Sequence, residues 1–295
     1  MIKRKWWQTP RLRQDEELKM ERSVTWLELF FDLIFVVVIS RIAHNFSGHI
    51  SPSNFLVFIF MFIPVFWVWN GNTYYTERFE SDGLEFRIFT LSTIIPVAGM
   101  AIFSHHGLAE NYPGFALSYL AARSINILLW LRTMFHVPQF RPTALRFILV
   151  FLIAAVMIVI SLFLSTLPRL ILWGLALIVD VISPAFTMKV QKELPKISTS
   201  KFPERFGLFT IIVLGEAVIG VIYGLSNFEH LTLVLGVYGV LGLSIGFGLW
   251  WIYFDFIARR PPARNPTIVL IWVYLHIFLT LAIIMSGVLI AELLK

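Results

Sequence analysis

Arg123, Asp180 and Glu216 each fall near the middle of a hydrophobic run long enough to cross a bilayer. A charged side chain at that depth costs at least about 2.5–3.5 kcal/mol. A chain that keeps three, with Asp32 a fourth nearer one face, pairs them, wets them or uses them. Arg123 stands in LAARSINILLW with Ser124 and Asn126 close by. A guanidinium there needs a carboxylate partner. Asp180 (ALIVDVIS) and Glu216 (IVLGEAVIG) are the deepest candidates, and Asp32 comes next. One arginine cannot neutralise three acids, so the surplus acid must be protonated, hydrated or bound to a cation. Asp32, Arg123, Asn126, Asp180 and Glu216 are therefore expected to line one polar pocket halfway through the lipid and to bind an ion or proton there.

Other ionisable residues extend this set. Glu28 and Asp32 are four apart in TWLELFFD and share a helix face. Two carboxylates that close in a poor dielectric do not both ionise easily, and one becomes a proton carrier. The structural alternative is that Glu28 caps the first turn and Asp32 pairs with a buried arginine. His276, in WVYLHIFLT, suits a proton relay or a neutral hydrogen bond between helices. Asp255 and Arg259, one turn apart, read as a structural ion pair, with Trp250, Trp251 and Tyr253 as an aromatic belt. His44, His49, His105, His106 and His230 fall in outward loops or helix ends and match no metal-ligand spacing. No catalytic motif of the HExxH, GxSxG, Walker or Rossmann kind is present, and no lysine lies mid-membrane. No catalytic residue, metal or cofactor is expected, and the chain is not expected to be an enzyme. An intramembrane enzyme acting on lipid remains an alternative.

The elements that must hold these residues are transmembrane helices. The chain has 295 residues, 58% hydrophobic and only 14% charged, with a mean hydropathy of +0.78. So little charge cannot cover a soluble domain of this size. There is no cysteine, which excludes disulfides and thiolate chemistry. Spans of about 20 apolar residues are predicted at 24–44, 54–73, 86–104, 114–135, 146–164, 168–188, 206–226, 231–256 and 267–291. The expected fold is thus all-α and polytopic, with a transmembrane domain over 24–292. Residues 1–23 carry no signal-peptide run and read as a cytoplasmic interfacial segment, with Trp6 and Trp7 at headgroup level.

Basic residues set the orientation. Of the 24 Lys and Arg, 20 fall on the N-terminal tail and on alternate loops, including Lys189, Lys192, Lys196, Lys201 and Arg205 after the sixth span. That alternation supports nine spans and a cytoplasmic N-terminus. It also makes the net charge of +6 a topology signal rather than a nucleic-acid surface. Gly220 with Gly224, and Gly242 with Gly246, are spaced for close helix packing. Pro64, Pro96 and Pro184 lie inside spans and mark kinks, by packing or beside a cavity. LFFDLIFVVVI in span one and LFTIIVLGEAVI in span seven, with WVWNGNTYY and WWIYFD one span later, read as a parallel internal repeat of helices 1–3 and 7–9.

Three strings, VTWLELFFDLIFVVVISRIAH at 24–44, PERFGLFTIIVLGEAVIGV at 203–221 and WWIYFD at 250–255, resemble the bacterial low temperature requirement protein A (LtrA) family. The region 67–87 and the Tyr274/His276 element are similar as well. The resemblance implies a bacterial inner-membrane protein linked to growth in the cold, and carries over Glu28, Asp32, Arg205, Glu216 and Asp255. The stretch RFESDGLEF lacks an adjacent acid pair associated with that family. Longer members continue through further helices, so a homo-oligomer is the expectation if a second copy must supply them. Phe31-Asp32 is a fragment of a motif in the lysosomal potassium channel family, which prompts a channel alternative. The leading expectation is an ion- or proton-coupled secondary transporter, with the bilayer and a small ion or solute as partners. The alternatives are an ion channel, or a structural or regulatory protein of cold adaptation.

Overall fold

Aromatic residues at helical spacing build the centre of the molecule. In the computed structural model the described residues are 6–13, 24–48, 50–80, 83–105, 110–195, 201–226, 228–230, 232–263 and 265–294. Helix α2 (Pro52–Arg78) turns Phe58, Phe62, Phe66 and Trp69 to one side, where they meet Phe31 and Phe35 of α1 (Trp26–Ser47) and Phe206 and Phe209 of α8 (Lys201–Ser226) in one buried cluster. The Trp69 and Phe209 rings stack with centroids 4.1 Å apart. Around this centre run α3 (Leu84–Phe103), α4 (Tyr112–His136), α5 (Arg141–Ser161) and α6 (Thr166–Ile182), each packed on the next. A 3₁₀ segment, Ser183–Thr187, and the short α7 (Met188–Gln191) continue the sixth span. Then follow α9 (Leu233–Ile252), which ends in a π-turn over Tyr253–Ala258, and α10 (Pro266–Leu293).

Eight helices among the described residues are long and apolar enough to cross a membrane. α1 is not among those eight. It is 22 residues long, carries Glu28, Asp32 and Arg41, and packs against α2, α3, α8 and α10. The nine predicted segments therefore all form long helices, and α1 packs among four of the others. α1 starts where the sequence provides a capping box: Thr25 accepts from the Glu28 amide, and Glu28 reaches back to the Thr25 amide. Ser51, Thr232 and Asn265 cap α2, α9 and α10 through their side-chain oxygens.

Several boundaries differ from the sequence reading. α2 runs to Arg78, not 73, because Asn70, Asn72, Thr73, Glu77 and Arg78 are buried against protein rather than facing lipid. α8 begins at Lys201, so Lys201 and Arg205 are not loop charges. Both are 1% exposed. Tyr253 does not join the aromatic belt: the π-turn holds it inside at 1% exposure, while Trp250 and Trp251 stay exposed. Of the N-terminal segment, Arg11–Leu12 (β1) pairs antiparallel with Phe79–Glu80 (β2), and Arg132 of α4 donates to the Gln8 carbonyl. This part lies on the end of the bundle where α2 finishes and α4 ends, called below the basic end, with Trp6 and Trp7 exposed.

The glycine pairs act as predicted from their spacing. A Cβ on Gly220 would stand 2.3 Å from the Gly287 carbonyl oxygen, so α8 and α10 touch backbone to backbone. Gly224 meets Leu294, and Gly242 meets Val221 and Ile290. In the two stretches read as a repeat, α1 lies against α2 and α3, and α8 against α9 and α10. The environments differ, however. Trp67 and Trp69 of α2 are buried whereas Trp250 and Trp251 are exposed, so WVWNGNTYY is core and WWIYFD, Tyr253 apart, is periphery.

Candidate functional site

The acids do not share one pocket. Three separate sites form, and each follows from which helix faces which.

The first lies at the basic end between α1, α2 and α8. Glu28 and Asp32 stand one turn apart on α1, and Lys201 and Arg205 stand one turn apart on α8. Lys201 Nζ donates to Glu28 Oε1 at 2.7 Å, and Arg205 Nη2 donates to Asp32 Oδ1. Trp69 Nε1 donates to the same Asp32 oxygen at 2.8 Å, and Arg205 Nη1 donates to Thr76 Oγ1 at 3.3 Å. The second Glu28 oxygen accepts from the Thr25 amide and hydroxyl. All four charged groups are at most 2% exposed. The two acids are not left to each other: each faces a basic partner of its own, with Glu28 also closing the helix cap and Asp32 on a buried arginine, the arrangement given above as the structural alternative. Lys201, Trp69 and Thr76 were missed. The available signal was the matched spacing of opposite charges, Glu28/Asp32 against Lys201/Arg205.

The second lies between α4, α5 and α6. Arg123 Nη2 donates to Asp180 Oδ1 at 2.5 Å, and the Tyr119 hydroxyl donates to Asp180 Oδ2 at 2.5 Å. Arg123 Nη1 and Trp130 Nε1 both donate to Asn126 Oδ1, at 3.3 and 2.9 Å. The guanidinium lies 3.8 Å from the Phe151 ring centroid and against Gly71, where a Cβ would stand 2.9 Å from Nη1. Arg123 thus takes Asp180 as its partner, and Asn126 orients it.

The third holds Glu216, the surplus acid. It is 7% exposed, and among the described residues no lysine or arginine pairs with it. Its Oε1 has no hydrogen-bond partner among the described residues. The group lines a cavity of about 210 Å³ with Ser40, His44, Tyr223, Gly220 and Gly287, at the end of the bundle opposite the basic end. His44 and Tyr223 lie ring to ring at 5.7 Å. The tight Gly220–Gly287 crossing brings the α10 backbone against Glu216 itself.

His276 belongs to none of the three. Its Nδ1 bonds the Trp272 carbonyl at 2.8 Å and its Nε2 bonds the Tyr253 hydroxyl at 3.2 Å. Both ring nitrogens are occupied, so the residue ties α10 to the π-turn. Asp255 pairs with Arg259 at 3.3 Å on the surface and accepts from Trp251. His49 and His106 lie outside the described residues, and no cluster of three metal-ligating side chains occurs among those described.

Long apolar helices around buried, neutralised ion pairs define a multi-pass α-helical membrane protein. The chain belongs to a specific family of that class: the profile of the bacterial low temperature requirement A protein (LtrA) matches residues 23–295. It is also similar to an uncharacterized protein of Rhizobium meliloti (strain 1021), 27% identical over 242 residues, covering 77% of this chain and 57% of that protein. The chain therefore spans little more than half the length of that relative. No solved structure matches it.

Proposed function

We propose that the chain is a proton- or ion-coupled secondary transporter of the bacterial cytoplasmic membrane, serves growth at low temperature, and performs no covalent chemistry. The observation that carries this reading is Glu216, a buried carboxyl with no cationic partner among the described residues, in a cavity large enough for water or a small cation. A carboxyl kept at that depth without a counter-charge is stable protonated, hydrated or cation-bound, and exchange among these states is what a coupled carrier needs. Asp32 and Asp180, already neutralised by Arg205 and Arg123, hold the frame around it.

A second cavity reaches α8 at Phe202, toward the basic end. Glu216 comes 14 residues later on the same helix, about 21 Å along its axis. Phe206 and Phe209 lie between them, packed on Phe66 and Trp69. Cavities from opposite ends with a closed aromatic layer between them favour a carrier over an open pore. The competing structural reading draws on the two neutralised pairs and predicts no flux to lose.

The test is proton movement into proteoliposomes that contain an entrapped pH dye, driven by an imposed potassium diffusion potential. The wild-type protein should acidify or alkalinise the lumen faster than empty vesicles, and Glu216→Gln should abolish the difference. Equal rates for wild type, Glu216→Gln and empty vesicles would leave the structural reading in its place.

A further inference from the structure

The basic-end cavity, about 50 Å³, shares no residue with the Glu216 cavity. Its walls include Trp67, Trp130 and Phe151, and its polar lining includes Asn70, Arg123 and Ser183. These three polar residues are 7%, 4% and 1% exposed. One atom on each, Asn70 Oδ1, Arg123 Nε and Ser183 Oγ, is buried without a hydrogen-bond partner among the described residues. An unmet buried polar atom costs about 1–3 kcal/mol, and native proteins rarely leave several together. Three beside one cavity point to a molecule that completes them.

The chemistry of that molecule follows from the atoms left open. Arg123 Nε donates, Asn70 Oδ1 accepts and Ser183 Oγ does either, so the complement carries both a donor and an acceptor. It is also uncharged. The Arg123 charge is matched by Asp180, both of whose oxygens are taken, one by Arg123 and one by Tyr119. An ion entering would lose hydration with no counter-charge to meet it. The aromatic walls add apolar contact. On the measure in which one water needs about 10–15 Å³, the space admits a solute of a few heavy atoms.

The backbone beside the cavity agrees. The sixth span breaks at Ser183, where a 3₁₀ segment begins and Pro184 lacks an amide hydrogen. The Val181 carbonyl accepts from the Tyr274 hydroxyl at 2.8 Å, and the Phe186 carbonyl accepts from Arg146 at 3.0 Å. Non-helical backbone at membrane depth is tolerated where protein buries it or where it lines a cavity, and discontinuous spans carry solute sites in many transporters. We infer that the cavity bounded by Asn70, Arg123 and Ser183 is a binding site for a small uncharged solute bearing an amide or hydroxyl group. That this solute is the cargo rests on the transport reading above; that it binds does not.

Acetamide and acetate, near-isosteres that differ in charge, are the probes. Saturation-transfer NMR on the full chain in lipid nanodiscs should detect acetamide, with acetate at least tenfold weaker. Ser183→Ala and Asn70→Leu should each weaken acetamide at least threefold. Ser183→Ala removes only a hydroxyl that has no partner among the described residues, so it should fold as wild type does. No transfer to acetamide, equal binding of acetate, or unchanged binding in both variants would overturn the site. Acetamide binding in a protein that moves no protons would uphold the site and remove the transport reading. Proton flux without acetamide binding would do the reverse.

Discussion

Arg205 of α8 meets Asp32 of α1 across 173 residues of chain, and Trp69 of α2 donates to the same carboxylate oxygen. This junction fastens three helices at the basic end through one acid. Breaking a buried pair strands the other charge, at about 3–5 kcal/mol, whereas replacing both partners by apolar groups of similar volume is often neutral or stabilising. Arg205→Met alone should therefore lower thermal stability strongly. Adding Asp32→Leu should restore most of it. Fluorescence-detected size-exclusion after heating in detergent reads both, and additive losses would show that the two residues do not act as a pair.

Glu216 and Asp180 should part company in the same assay. Asp180→Asn leaves Arg123 facing a neutral amide and should cost about 3 kcal/mol or more. Glu216→Gln removes no ion partner and should shift stability by less than about 1 kcal/mol. A large loss in Glu216→Gln would mean that the group is held by a cation after all.

Glycines divide by what surrounds them. A side chain on Gly287 would strike the Glu216 carbonyl at 2.8 Å, so Gly287→Val should separate α8 from α10 and prevent a monodisperse protein. Nothing lies within 4 Å of a Cβ on Gly215. Gly215→Ala should be neutral or stabilising by about 0.5–1 kcal/mol. Melting temperatures of the two variants check this contrast.

Orientation is open to direct labelling because the chain has no cysteine. Single cysteines replacing Glu193, at the basic end, and Ser53, at the opposite end, should react with an impermeant maleimide from opposite sides of the membrane. In intact spheroplasts Ser53→Cys should label and Glu193→Cys should not. The reverse pattern would invert the topology.

What the sequence made legible follows from what lipid demands. Apolar runs must be long, which located all nine helices, and close crossings need small residues, which located Gly220 and Gly224. Pairing was legible only in part. Arg123 had to have an acid, and Asp180 was a candidate, but depth alone could not choose between Asp180 and Glu216. Lys201 and Arg205 were misplaced because charge near a span's end reads as loop, whereas here α8 starts four residues before Arg205 and carries both cations inside. The single shared pocket failed for that reason: with Arg205 counted as loop, Asp32 seemed to compete for Arg123. Tyr253 was misread because one π-turn rotates a residue off the face that regular helical spacing assigns it.

Glu216 is the acid left without a cation among the described residues. A hydrophobic carbodiimide forms an adduct with a protonated carboxyl reached from an apolar phase, and peptide mass spectrometry locates it. Treatment of the protein in nanodiscs at pH 7 should modify Glu216 and leave Asp32 and Asp180, which are held by Arg205 and Arg123, unmodified. Adducts on Asp32 or Asp180 with none on Glu216 would contradict the account.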